Sequence, residues 1–425
     1  MTNINTKNWN NFFPEDMYWI YRGYVNMNDF PYQDKNDVIN VRKAKYTTQI
    51  YGGKGSDYIY GSKKHMNFLY GDLAYEVFGT AEENKDYLTV RGNDTIYGGN
   101  SSDYINAGPG TDYIKAGKGI NVIMFKQGDG KDLLIQGKGK DYLFFVDTDF
   151  DNIEFERSGN DLIVNYGNNS DNITVHNYFK KISKSSLKGI VDMHANLNKV
   201  EQAFYAFYET TEKQGISILK QALTQAKTIT YMLSEQKYIN TTMDKAGKFK
   251  GTVYNDYITG TSGNDKIYGK KGDDKINAGG GNNYIYFSKN DGNDVVENGD
   301  GNDVLVFSKV KNIKNIGFFY DNDTKDVILS YGNNDSVTIK NYSDEHSVQK
   351  IKIGKKLYNI ADRIYIPKTS AQASNNISMV LDSINSEMVA FNTAETSDMS
   401  LNYNDFITNE DVLTIIAEYT GIQKF

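Results

Sequence analysis

The sequence predicts a mainly β protein: two parallel β-rolls built of short stacked strands, flanking antiparallel strands, a helical insert between the rolls and a helical C-terminus. Three observations predict it. Asp94, Asp103, Asp112, Asn121, Asp132 and Asp141 follow one another at steps of 9, 9, 9, 11 and 9. The same set recurs 162 residues later as Asp256, Asp265, Asp274, Asn283, Asp294 and Asp303. A nine-residue step with Gly and Asp at fixed phases describes a turn-and-strand unit, and a repeated array describes a duplicated module. Apolar residues at helical spacing lie between the arrays and after the second.

Residues 1–44 form an N-terminal segment ahead of the repeats. The first roll and its capping strands are expected over 45–184. It opens with an isolated unit, Gly52 to Tyr60, carrying Asp57, and resumes with the truncated unit around Asp94. Three full units follow: Gly98 to Asn106 with Gly99 and Asp103, Ala107 to Lys115 with Gly108, Gly110 and Asp112, and Ala116 to Met124 with Gly117, Gly119 and Asn121. The second roll is expected over 248–366, its four units running from Gly251 to Tyr286 with Gly263 before Asp265 and Gly272 before Asp274. In each unit a Gly-rich half ends in Asp or Asn, and three strand residues carry one inward apolar side chain. Such a strand buries nothing alone. Ile96, Ile105, Ile114 and Ile123 are therefore expected to stack as one ladder, and Ile258, Ile267, Ile276 and Ile285 as the other.

A shared coda follows each array, Phe125 to Phe145 and Phe287 to Phe307, each with a Gly-Asp-Gly or Asp-Gly turn before Asp132 and Asp294. Alternating Leu162, Val164 and Tyr166, then Ile173 and Val175, predict paired strands that cover the open end of the stack. The insert, 185–247, should hold two helices separated near Gly215, one through Val200, Ala203, Phe204 and Phe207, the other through Leu219, Leu223, Ala226 and Ile229. In the C-terminal segment, 367–425, Ile377, Val380, Leu381, Ile384 and Met388 share a face, and Thr408 with Asp411 forms a capping-box pattern.

The turns carry the chemistry. With 38 Gly and only 4 Pro, the backbone is built for left-handed turns that aim carbonyl oxygens inward, and the following Asp adds a carboxylate. Calcium takes six to eight such oxygens in irregular geometry, whereas magnesium demands an octahedron and keeps its waters. Zinc and iron fit poorly, with no Cys and only His65, His176, His194 and His346, none of them clustered. If strands alternate between two faces, loops on one side stand 18 residues apart, pairing Asp94 with Asp112, Asp103 with Asn121, Asp256 with Asp274, and Asp265 with Asn283. An Asp–Asp pair neutralises a divalent ion and should bind more tightly than an Asp–Asn pair. A net charge of −7 argues against nucleic acid and anionic membrane as partners. No stretch reaches the ~18 apolar residues of a membrane span, and the first residues offer no apolar signal core. Neither a His-Glu-x-x-His, a Gly-x-Ser-x-Gly nor a phosphate-binding loop occurs, so no catalytic activity is expected.

These nonapeptides resemble the Gly-Gly-x-Gly-x-Asp repeat of the repeats-in-toxin (RTX) family, over roughly Tyr51 to Phe179 and Gly251 to Tyr342. The resemblance implies a parallel β-roll with calcium between stacked loops, in a secreted toxin or virulence protein of hemolysin type. It also implies export by a type I ABC exporter that reads an uncleaved C-terminal signal. In the family the chain folds on calcium outside the cell. The alternative reading is a calcium-dependent surface-layer or adhesin component at the cell surface, working through self-association or contact with a host cell.

Overall fold

A three-residue strand with one apolar side chain is stable only when it is hydrogen-bonded on both sides and its apolar residue meets identical neighbours above and below. The computed structural model describes residues 3–5, 24–26, 36–45, 47–72, 91–167, 170–180, 182–191, 212–229, 232–233, 237–298, 302–332, 334–343 and 348–364. The chain divides into two compact units, Met1–Lys237 and Tyr238–Phe425.

In the first unit, successive strands alternate between two parallel sheets. One sheet stacks Val38–Asn40, Tyr58–Tyr60, Thr95–Gly99, Tyr113–Gly117 and Lys131–Ile135 in that order. The other stacks Thr48–Tyr51, Asn67–Tyr70, Asp103–Asn106, Ile120–Phe125, Lys140–Phe145 and Leu187–Val191. Asn3–Asn5 and Tyr24–Asn26 pair in parallel onto the first strands of the two sheets. The irregular stretch after Gly61 thus still supplies a regular rung, Asn67–Tyr70.

The isoleucines form two ladders in each roll, which corrects the expectation of one. Ile39, Ile59, Ile96, Ile114 and Leu134 pair through one sheet, while Ile50, Leu69, Ile105, Ile123 and Leu143 pair through the other, all fully buried. The reason is the alternation itself: hydrogen bonds join rungs two units apart, and the nine-residue step only carries the chain across to the opposite sheet. Antiparallel strands Glu154–Ser158, Asp161–Tyr166 and Asp171–His176 then extend the first sheet, with Leu162 opposite Val175 and Val164 opposite Ile173.

Within the insert the helix Glu212–Ala222 runs through Gly215 instead of breaking there. Its last turn and the following Leu223–Gln225 turn pack Leu219, Ala222 and Leu223 against Phe68, Tyr104, Val122, Met124 and Phe144. The apolar outer face of the second sheet is what holds this helix. The expected second helix stops before Ala226, because Lys227–Thr228 pairs with the exposed edge of Leu187–Val191. The expected helix through Val200 and those of 367–425 lie outside the described residues.

The second unit repeats the plan. Ile239–Thr242, Asp256–Thr259, Lys275–Asn277 and Asn293–Asn298 stack in one sheet, closed by the antiparallel strands Ser336–Ile339, Val327–Tyr331 and Ile316–Tyr320. Lys248–Lys250, Lys266–Tyr268, Tyr284–Phe287, Val304–Phe307, Lys350–Ile353 and Lys356–Asn359 make the other. Ile258, Ile276, Val296 and Ile339 fill one side of the core, and Ile267, Ile285, Leu305 and Ile351 the other.

Candidate metal centre

The turns on each side of a roll stack their acidic residues into columns. In the first roll the amide of Asp37 donates to Asp57 Oδ1 at 2.7 Å, Asp57 to Asp94 at 2.7 Å, Asp94 to Asp112 at 2.7 Å and Asp112 to Asp132 at 2.9 Å. The second roll has the same column: Asp256 donates to Asp274 at 2.8 Å and Asp274 to Asp294 at 3.0 Å. Each carboxylate therefore spends one oxygen on the preceding rung. Among the described residues the other oxygen of Asp57, Asp94, Asp112, Asp132 and Asp274 is buried without a hydrogen-bond partner.

On the opposite side Asn alternates with Asp. The amide of Asp103 donates to Asn121 Oδ1 at 3.1 Å, and the Asn121 side chain donates in turn to Asp141 Oδ1 at 2.8 Å. In the second roll the Asp265 amide donates to Asn283 Oδ1 at 2.8 Å and the Asn283 backbone amide to Asp303 Oδ1 at 2.8 Å, while the Asn283 side-chain amide donates to the Gly280 carbonyl at 3.2 Å. All four 18-residue pairs are thus brought into contact. An Asn supplies an N–H donor where an Asp would supply a second charge, so this side carries less uncompensated charge.

The glycines make the columns possible. A Cβ on Gly71 would collide with Asp94 Oδ2 and the Ala107 carbonyl oxygen, one on Gly98 with Asp103 Oδ2 and the Ala116 carbonyl, and one on Gly251 with the Gly269 carbonyl and Asp256 Oδ2. Each opening glycine therefore leaves a small space bounded by a carboxylate oxygen and a carbonyl oxygen from the next loop. Gly99, Gly110, Gly117 and Gly119 lie against the carbonyls of Ser62, Gly92, Gly99 and Ser101, and Gly272 lies against that of Tyr254. Gly108 faces Asp72, and Gly263 faces the Ala246 side chain. Gly108, Gly117, Gly119 and Gly272 have φ of +93°, +101°, +84° and +121°, the left-handed region that inverts the carbonyl direction.

Such a set of buried, all-oxygen donors with orphaned carboxylate atoms fits a calcium ion. Among the described residues no three His, Asp or Glu side chains converge on one point, so the donor set is a pair of carboxylates completed by backbone carbonyls. Burial, then the charge of a neighbouring carboxylate, pushes Asp57 and Asp94 up to about 8 and Asp274 up to about 9. Burial likewise pushes Asp112 up to about 7 and Asp294 up to about 8, against the backbone hydrogen bond each accepts. Without a cation these groups hold protons near neutral pH.

Several column members escape a pattern search. Asp37 has no glycines before it, and Asn67 stands in the irregular unit, where its side chain bonds Asp103 at 2.6 Å. Asp171 ends one column by accepting from Gly128 and Gly130 at 2.8 and 3.1 Å, and Asp335 accepts from Asn290 and Gly292 at 2.9 and 3.4 Å. The Gly-Asn-Asn sequence that precedes both is their signal in the chain.

The family of the RTX calcium-binding nonapeptide repeat matches residues 49–63, 89–123, 250–285 and 290–305. No curated protein sequence matches the chain significantly. Among solved structures, the extracellular lipase LipA from Serratia marcescens aligns at 18% identity and a TM-score of 0.22, covering 72% of this chain. The chain spans 43% of the length of that lipase.

Proposed function

We propose that this chain, which carries RTX calcium-binding nonapeptide repeats, is a secreted calcium-dependent repeat protein of hemolysin type with no catalytic activity of its own. It leaves the cell unfolded through a type I ABC exporter and folds on meeting calcium outside. The observation that carries this reading is the column of buried aspartates, in which Asp57, Asp94, Asp112, Asp132 and Asp274 each keep one oxygen without a hydrogen-bond partner among the described residues. No Lys or Arg pairs with Asp57, Asp94, Asp112, Asp132 or Asp274 among the described residues. Stacked without a counter-charge, these carboxyl groups must either hold protons or repel, so the column is costly at low calcium and favourable once a divalent ion sits between its rungs. The ion supplies the missing charge. The residues supply the rest: Asp94 with Asp112 and Asp256 with Asp274 as charged pairs, Asp103 with Asn121 and Asp265 with Asn283 as weaker ones, and glycines that let carbonyls approach.

Calorimetric calcium titration tests the ranking. Asp112→Asn should weaken the tightest class of sites at least tenfold, and Asn121→Asp should strengthen the weaker class; identical isotherms for both variants and the wild type would sink the assignment. Export is tested by fusing residues 367–425 to a passenger and co-expressing a type I exporter. The passenger should reach the medium, and its retention inside the cell would refute the signal.

The raised carboxyls also set a pH dependence. An unfolded Asp titrates near ~3.9, whereas Asp57, Asp94 and Asp274 in the fold are pushed up to about 8, 8 and 9. A raised folded value means the folded state holds more protons between those limits, so calcium-free stability is greatest in acid and is lost as pH rises through the folded values. The Tm of calcium-stripped protein should accordingly fall between about pH 5 and pH 8. Saturating calcium should flatten or reverse the trend, since the ion replaces the protons. A calcium-free Tm that climbs with pH over this window would contradict the arrangement.

A further inference from the structure

The residue after the opening glycine of a loop lies beside that loop's own carboxylate. Thr252 donates to Asp256 Oδ2 through its amide at 2.5 Å and its hydroxyl at 3.0 Å, and Thr261 does the same to Asp265 Oδ2 at 2.8 and 3.0 Å. In both loops Oδ2 is met by neutral donors, and in the second the Gly247 amide also donates to Asp265 Oδ1 at 2.8 Å. Gly71 and Asp72 open the loop that ends in Asp94: the space beside Gly71 is bounded by Asp94 Oδ2, as the space beside Gly251 is bounded by Asp256 Oδ2. Here the second position is an acid, not a threonine.

Asp72 is fully buried. Its Oδ2 accepts from the Gly92 amide at 3.2 Å, and its Oδ1 has no hydrogen-bond partner among the described residues. After burial itself, the carboxylates of Asp94 and Asp112 act on it most strongly. The next loop makes room for it, since a Cβ on Gly108 would meet Asp72 Oδ2 at 2.8 Å. Among the described residues no cationic side chain pairs with Asp72, and the nonapeptide pattern does not ask for an acid in this place.

We propose that Asp72 belongs to the calcium site of Asp94 and Asp112, as a third carboxylate whose charge makes that site the tightest in the chain. This rests on the reading that the Asp94–Asp112 pair holds calcium. Because no three carboxylates share one ligating point among the described residues, the contribution assigned to Asp72 is its charge beside the ion. Two carboxylates neutralise Ca²⁺; three leave the calcium site at −1 and neutralise a trivalent ion. The site should therefore prefer a lanthanide of similar radius more strongly than the sites of the second roll, where Thr252 and Thr261 stand at the same position.

The test is tyrosine-sensitised terbium luminescence on the full chain, with calcium competition, for the wild type, Asp72→Asn, Asp72→Gly and Asp112→Asn. Asparagine has the shape of the protonated acid, and glycine is what the loops of Asp103, Asp112 and Asn121 carry there. Both Asp72 variants should lose the first-filling terbium phase and bind calcium ~10-fold more weakly at one site, with unchanged β-sheet circular dichroism at saturating calcium. If both superimpose on the wild type while Asp112→Asn weakens binding, Asp72 is a buried neutral acid and this inference fails alone. If Asp112→Asn is silent as well, the calcium reading of the pair fails with it.

Discussion

Stripping calcium from the purified chain at or above neutral pH should abolish most of its β-sheet circular dichroism, and restoring the ion should bring it back cooperatively. At a free calcium ~100 times Kd, each filled site contributes about 2.7 kcal/mol. Two such sites in a roll supply about 5 kcal/mol, comparable with the whole stability of an ordinary domain, about 5–15 kcal/mol. Most rungs of the repeats contribute a single fully buried aliphatic residue to the ladder, larger side chains such as Phe125, Phe145, Phe287 and Phe307 come in at the codas, and the turns bury carboxylates. Magnesium at the same concentration should be a poor substitute, because it surrenders its waters reluctantly to irregular carbonyl sites. A far-ultraviolet spectrum that is the same with and without chelator at neutral pH would refute the folding switch.

The second large effect is expected from a single methyl group. Gly110 is bridged in parallel to Gly92 and Gly130, and a Cβ on it would strike the Gly92 carbonyl oxygen and stand 3.0 Å from Asp112 Oδ1. The obstructing atoms are backbone in a stacked turn, so no side-chain rotation relieves the clash. Gly110→Ala should cost about 3 kcal/mol and should lower calcium affinity together with thermal stability, because the displaced loop carries Asp112. Gly280→Ala is the control: its new Cβ would find nothing closer than 3.5 Å, and the change should stay within about 0.5 kcal/mol. Chemical denaturation in saturating calcium compares the two, and equal effects would show that glycine at position 110 is not demanded by close approach.

Much of this architecture is legible without coordinates. The nine-residue step announces the turn-and-strand unit, and the 162-residue echo announces its duplication. Doubling the step gives the pairs that the structure brings into contact, Asp94 with Asp112 through Asp265 with Asn283. The alternating residues after Asp161 announce the closing hairpin. What resists such reading is whatever depends on a neighbour far along the chain. The isoleucines split into two ladders because hydrogen bonding follows space, not sequence order. The helix Glu212–Ala222 carries no pattern that names its site; it lies where Phe68, Tyr104, Val122, Met124 and Phe144 leave an apolar outer face. Asp72 lies outside the nonapeptide pattern, and only the stacking of Gly71 against Asp94 identifies its position.

By itself, then, the sequence determines the repeating unit, the duplication and the residue types that face the ion, because a solenoid writes its period directly into the chain. Only the tertiary structure decides how much charge each column must neutralise. Burial and stacking determine whether both oxygens of a carboxylate are satisfied within the turns, as Gly247 and Thr261 do for Asp265, or one is left without a hydrogen-bond partner among the described residues, as in Asp94, Asp112 and Asp141. That difference separates a self-satisfied turn from one that needs calcium.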